Sequence, residues 1–253
     1  MNDDKYLMSS LSNALQLMDL LAIHDRVSVA ELTKLSGLGK ASLFKMLYTL
    51  EKRGFVYKTK DARYGLSIKF AQYGQSVLER FDLVGVTRPV LRQLNEKVGE
   101  AAHLAVLADD GLNVIFIGKE TGSSTIRMAS RVGLQMPSHC TATGKALLAA
   151  LPDERLAEII GQIEFRRLTP NTIMNDDLLR REIESIRAEG HAKDKEESEE
   201  GLICLGTVIR NMTGAAVGAI SISGPKSRMN KSADQNLSEL KAAAAKISKI
   251  MGG

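Results

Sequence analysis

Tryptophan is absent from this chain of 253 residues, and only six phenylalanines and five tyrosines are present, so an aromatic side chain placed on a polar helix face is informative. The two cysteines, Cys140 and Cys204, have neither paired spacing nor a histidine pattern; a disulfide scaffold and a zinc module are excluded, and both read as reduced thiols. No apolar run approaches the roughly 20 residues of a membrane span, and the opening MNDDKYLMSS lacks the basic and apolar regions of a signal peptide. A cytoplasmic protein with no membrane partner is expected. No internal repeat or low-complexity tract is visible. The length and the 44% hydrophobic content suffice for two domains, each with its own core.

What is present is an uneven distribution of charge. Residues 1–80 contain 12 Lys and Arg against 8 Asp and Glu, whereas residues 81–253 contain 22 of each. The whole net charge therefore lies in the first third. Within residues 34–63, eight bases (Lys34, Lys40, Lys45, Lys52, Arg53, Lys58, Lys60, Arg63) face two acids (Glu51, Asp61), a field suited to a polyanion.

The same stretch has a legible local structure. Ser28 and Glu31 form a capping box, and Ala30, Leu32 and Leu35 give the following helix a buried face until Gly37 ends it. A second helix runs to Arg53 with Leu43, Met46, Leu47 and Leu50 inward. Its other stripe is Lys40, Ala41, Phe44, Lys45 and Tyr48, with Ser42 beside them. A helix cannot present such a cationic stripe to a core, but it can lay it in a major groove, lysines to phosphates and small or aromatic residues to base edges. The aromatics have the alternative of contact with the preceding helix. Residues 55–66 then alternate as a hairpin, with Lys58, Lys60 and Arg63 at or near its tip, as a wing over the backbone or minor groove requires. Double-stranded DNA is the expected partner.

Further along, Leu11, Leu15, Met18 and Leu21 give a first helix its apolar side, and Phe70, Tyr73, Gly74, Val77, Leu78 and Phe81 form a stripe on a helix over 68–84 that needs a partner. Another helix begins near Thr87 to Pro89, with Val90, Leu91, Leu94 and Val98 inward. From Ala101 the period changes to strands: a hairpin of 102–108 and 112–119 around Asp109-Asp110-Gly111, a third strand from Thr125 to Ser130, and a second hairpin of 202–210 and 215–223. Helices are expected at about 143–151, 153–160, 177–189 (closed by Gly190) and 233–251. Antiparallel strands mixed with covering helices define an α+β fold.

Chemistry is sparse. Thr143-Gly144-Lys145 echoes a phosphate loop but lacks the preceding Gly and the following Ser or Thr, and Ser42-x-x-Lys45 lacks the companions of a penicillin-type site. His139 beside Cys140 is a sequence pair rather than a spatial one, and His139 reads as a structural hydrogen-bonding group near a pocket rim. Thr141-Ala142-Thr143-Gly144 opens a helix whose free amides attract a carboxylate. Ser221 and Ser223 share one strand face and Ile220 and Ile222 the other, which gives either a polar pocket or ordinary sheet surface. The run Asp194 to Glu200, five acids in seven residues, reads as a solvated loop that can also cover a pocket mouth.

Five segments in one order, VAELTKLSGLGKASLFKMLYTLEKRGFV, MPSHCTATGKALLAALP, LTPNTI, GHAKDKEESEEGLIC and AAVGAISISGP, resemble the IclR family of bacterial transcriptional regulators over residues 10–250. The resemblance implies an N-terminal winged helix–turn–helix (1–67), a linker and dimerisation helix (68–85) and a C-terminal effector domain similar to GAF sensors (86–253). It further implies a homodimer or dimer of dimers, and a small effector, a carboxylate by the chemistry of the open helix start, contacted by Met136, Ala142, Thr143, Asp194, Leu202, Cys204, Ser221 and Ser223. The sequence departs from the family's frequent pattern at Gly39-Lys40-Ala41-Ser42, at Tyr64-Gly65-Leu66-Ser67 and at Leu205-Gly206-Thr207, which bears on the operator read and on part of the pocket. No catalytic residue, metal or cofactor is expected. The alternatives are an enzyme, or a purely oligomerising domain, fused to a DNA-binding module.

Overall fold

The computed structural model describes residues 6–24, 26–80, 83–121 and 130–252, with the backbone alone over 75–80. The chain divides into two units, residues 1–81 and 82–253.

The first unit contains α1 (Ser9–Ile23), β1 (Val27–Ser28), α2 (Val29–Ser36), α3 (Lys40–Lys52), β2 (Val56–Lys58), β3 (Arg63–Leu66) and α4 (Lys69–Arg80). The Ser28–Glu31 capping box is formed: the Glu31 amide donates to Ser28 Oγ at 3.3 Å and the Ser28 amide to Glu31 Oε2 at 2.8 Å. Gly37 closes α2 in the left-handed region, at φ 69°. A three-stranded antiparallel sheet in the order β1-β3-β2 lies beside the helices. The core is Leu17, Leu21, Val27, Leu32, Leu43, Leu47, Val56 and Tyr64. Each large aliphatic side chain withdrawn from water there contributes about 1.5–3 kcal/mol.

Two helical faces differ from expectation. On α1, Leu17 and Leu21 are buried while Leu11 and Leu15 are exposed; a helix with leucines on every side leaves the choice of face to its neighbours, here α2 and β3. On α2, Leu32 is buried and Ala30 and Leu35 are exposed, because an eight-residue helix turns only one ridge inward. The rings of Phe70 and Tyr73 of α4 pack, tilted, at 5.5 and 5.8 Å from that of Phe55 in their own unit. The rest of the expected stripe, the Val77 and Leu78 side chains and Phe81, lies outside the described residues.

The second unit is α+β, with a six-stranded antiparallel sheet of order β6-β5-β4-β9-β8-β7. Its elements are α5 (Leu83–Val98), β4 (Ala101–Leu107), β5 (Asn113–Glu120), β6 (Gln135–Pro137), a 3-10 turn (Ser138–Cys140), α6 (Ala142–Ala149), α7 (Asp153–Ile160), α8 (Asp176–Glu189), β7 (Ala192–Lys195), β8 (Leu202–Arg210), β9 (Ala216–Pro225), α9 (Lys226–Lys231) and α10 (Ala233–Ile250). The expected hairpins are β4–β5 and β8–β9. The expected strand at 125–130 falls almost wholly outside the described residues, and β6 is what pairs with β5. Helix α5 starts at Leu83, with Pro89 inside it rather than at its first turn.

The sheet sorts side chains by face. Ile220, Ile222, Leu205 and Leu104 pack with Leu91 and Leu94 of α5 and Leu240, Ala244 and Ile247 of α10. On the other side α6, α7 and α8 build a second core from Leu148, Leu156, Ile159, Leu179 and Ile183 against Ala192. Gly206 on β8 permits the start of α6 to press onto the sheet, because a Cβ there would lie 2.7 Å from the Ala142 carbonyl carbon and oxygen.

Candidate functional sites: a nucleic-acid face and a ligand cleft

On α3, Leu43 and Leu47 point into the core, and the opposite face exposes Lys40, Ala41, Ser42, Phe44, Lys45 and Tyr48. Phe44 and Tyr48 are 56% and 54% exposed, so contact with α2 does not account for them. The helix start adds to this face: Gly39 offers no side-chain cap and the first turn has no acid, so its amides are open to an anion. Lys52 lies 5.5 Å over the Tyr48 ring and Lys58 lies 5.6 Å over that of Tyr64. Lys58 and Lys60 are exposed at the end of β2 and in the turn. Arg63 is differently occupied. Its guanidinium donates to the Arg26 carbonyl at 2.8 Å and pairs with Glu31 and Asp61 at 3.3 and 3.5 Å, bracing the hairpin against the α2 capping box.

In the second unit, antiparallel register assembles a cleft. His103 of β4, Ser221 of β9 and Gly206 of β8 form one cross-strand row, and Ala101, Ser223, Cys204 and Asp194 of β7 form the next. The start of α6 lies over these rows. Thr141 caps the helix by accepting from the Gly144 amide at 3.2 Å, which leaves the Ala142 and Thr143 amides without helical acceptors. The Thr143 hydroxyl is buried and has no hydrogen-bond partner among the described residues. Lining residues are His103, Phe116, Thr141, Ala142, Thr143, Asp194, Ser198, Cys204, Ser221 and Ser223, and the space between them is at most about that of one water molecule.

Six of the eight residues expected to touch the effector are therefore brought together: Ala142, Thr143, Asp194, Cys204, Ser221 and Ser223. Leu202 lies just behind, packed with Ala142 and Cys204. Met136 instead packs with Val114, Phe116 and Leu147. His103 and Phe116 were not anticipated, whereas Thr141 belongs to the helix start and Ser198 to the acidic run already expected at the pocket. A signal for His103 was available, since it is the lone polar residue in the strand AAHLAVL.

Burial sets the electrostatics here. His103 is pushed down to about 3 by burial and then by Lys119, so it is a neutral ring; its Nε2 lies 2.7 Å from Ser130 Oγ and its face 5.2 Å from Phe116. Burial holds the Asp194 carboxyl above its ordinary value despite bonds from the Glu197 amide (2.7 Å) and the Ser198 hydroxyl. Burial also raises both thiols, Cys140 to about 12, so neither is a thiolate nucleophile. His139 was expected as a structural hydrogen-bonding group, but its Nε2 is buried without a partner among the described residues; its ring packs edge-on to Phe165 at 5.2 Å.

Behind the cleft lies the group furthest from expectation. Lys145, one turn into α6, is fully buried, with Nζ 2.6 Å from Glu197 Oε1, 2.9 Å from Glu182 Oε1 and 2.6 Å from the Lys193 carbonyl. The acidic run after β7 is thus partly interior. The hydroxyls of Thr169 and Thr172 hold its backbone, donating to the Glu196 and Glu197 carbonyls at 2.6 and 2.7 Å.

Among the described residues no group of three or more potential ligands could hold a metal, and no helix is long and apolar enough to cross a membrane. A winged helix–turn–helix unit followed by a separate sheet-and-helix unit with a small polar cleft is the architecture of a ligand-responsive DNA-binding regulator. A family model described as IclR helix-turn-helix domain matches residues 10–60, and one described as bacterial transcriptional regulator IclR C-terminal matches residues 75–249. The regulator KdgR of Dickeya chrysanthemi is 30% identical over 247 residues, covering 97% of this chain and 80% of its own. The repressor AllR of Klebsiella pneumoniae is 32% identical over 229 residues, covering 89% and 83%. Among solved structures, the IclR protein of Thermotoga maritima superposes with a TM-score of 0.77 at 34% identity over 98% of this chain and 100% of its own. The chain belongs to the IclR family of bacterial transcriptional regulators. It is a DNA-binding regulator with a C-terminal effector-binding domain, and not an enzyme.

Proposed function

We propose that this regulator reads a double-stranded operator through Lys40, Ala41, Ser42, Phe44, Lys45 and Tyr48, with Lys58 and Lys60 of the wing on the backbone, and that a small organic acid in the cleft of its C-terminal unit changes its affinity for DNA. Arg63 serves the same surface as a brace. The working divisions are 1–67 for DNA binding, 68–85 for the linker and 86–253 for the effector. The protein acts in the cytoplasm as a homodimer or dimer of dimers, since one short recognition helix reads few bases and two-fold proteins bind paired half-sites.

The observation that carries the effector reading is the buried hydroxyl of Thr143, without a hydrogen-bond partner among the described residues, at the open start of α6 and in one cleft with Ser221 and Ser223. A carboxylate docked there meets amides, the positive end of a helix and three hydroxyls. Asp194 on the facing strand favours a ligand that also carries a hydrogen-bond donor, such as a hydroxy acid. Met136, Leu202 and Cys204 support this lining from behind or beside it.

The test is calorimetry of acetate, glycolate and lactate on wild type and on Ser221→Ala/Ser223→Ala, with and without promoter DNA. Losing two hydroxyl partners costs about 1–3 kcal/mol each, so affinity falls by at least about thirtyfold. DNA must change the acid's affinity by the factor with which the acid changes DNA affinity. Unaltered binding in the double variant misplaces the cleft, and no effect of DNA removes it from control.

A further inference from the structure

Around Glu197 the C-terminal unit gathers more negative charge than it neutralises. Lys145 reaches it from α6 and is shared with Glu182 of α8, while Asp194 approaches from β7. One ammonium thus serves three carboxylates. Also facing this cluster among the described residues are His139 and the thiols of Cys140 and Cys204, all holding to their neutral forms, with Glu199 adding its charge beside Cys204. Glu197 Oε1 takes the bond from Lys145 and a longer one from the Lys195 amide at 3.3 Å, but Oε2 is buried with no hydrogen-bond partner among the described residues. A buried anionic oxygen without a donor lacks the solvation that its charge requires. The neighbours of Glu197 in the chain, Asp194 and Ser198, line the cleft itself.

An organic anion docked at the start of α6 adds a fourth negative charge beside one cation. Resting on the reading that the cleft binds such an anion, we propose that effector binding draws one proton from solvent onto Glu197 Oε2, Oε1 keeping its bond to Lys145, so that the regulator's response to its effector depends on pH. Burial already raises this carboxyl to about 7, so it is partly charged at neutral pH and has a proton to gain. A nearby anion raises it further. Because the bound state holds more protons, affinity is highest below about pH 7, where Glu197 is already protonated. Above that it falls by up to about tenfold per pH unit.

The experiment is titration calorimetry of acetate, glycolate and lactate into the full-length protein, at pH 6 in MES and bis-Tris and at pH 8 in HEPES and Tris, for wild type and Glu197→Gln. Glutamine keeps an oxygen for Lys145 and cannot ionise. For wild type, the heats should differ between the two buffers at pH 8, reporting up to one proton taken up, and agree at pH 6. The variant should bind equally at both pH values with no buffer dependence. Acid binding at pH 8 without buffer-dependent heat overturns this proposal and leaves the effector site standing, as does proton uptake that persists in Glu197→Gln. If the variant fails to fold, the wild-type buffer pair still decides whether binding takes up a proton, and its absence at pH 8 overturns the proposal. Binding of none of the three acids removes both readings.

Discussion

Thr143 carries a hydroxyl that the folded chain withdraws from water and leaves without a described partner. Leaving such a group unmade costs about 1–3 kcal/mol, so Thr143→Val, nearly equal in shape, is expected to leave the ligand-free protein as stable or more stable in urea unfolding. The same variant should bind an acid more weakly; loss of stability would instead reveal a partner for the hydroxyl. Lys145 poses the opposite case. Lys145→Met strands Glu197 and Glu182 and is expected to cost about 3–5 kcal/mol, while Lys145→Met/Glu197→Gln should recover much of that because the buried charge goes with it. Urea unfolding followed by circular dichroism distinguishes a coupled pair from two independent losses.

Helices α2 and α3 and the wing divide stability from recognition. Ser28→Ala removes the cap of α2 and should cost about 1 kcal/mol of stability with little change in DNA binding. Lys40→Ala/Lys45→Ala should do the reverse, lowering the slope of log affinity against log salt by about 0.9 for each phosphate no longer neutralised, as read by anisotropy on a duplex across a salt series. Arg63→Ala should destabilise the hairpin, since its partners are Glu31, Asp61 and the Arg26 carbonyl. The capping box, the glycine stops and both large hairpins were legible because each rests on residues within a few positions of one another. The face of α1 was not, since leucines surround it, and β7 read as part of an acidic loop. Whether Lys145, Asp194 and Glu197 are buried depends on partners 37 and 52 residues from Lys145, beyond any local period. Of the cleft, the paired serines and the open start of α6 could be read directly. The role of Gly206, seen in the sequence only as a departure from the family pattern, required the approach of the Ala142 backbone to be known.

At the scale of the whole molecule, light scattering at micromolar concentration should return a dimer or tetramer, and a strict monomer with and without DNA would remove the paired half-site reading. The order of strands has its own consequence for the cleft. Ser221 and Ser223 stand on β9, bonded on both sides by β4 and β8, whereas Asp194 stands on β7, four residues long and, among the described residues, paired to β8 alone. One wall is therefore stiff and the other compliant. A molecule that must widen a space now no larger than about one water strains β7 before β9, because an edge strand yields at the lowest cost in broken bonds. Amide exchange over 192–195 should then register occupancy of the cleft most strongly, while 219–223 stays protected throughout.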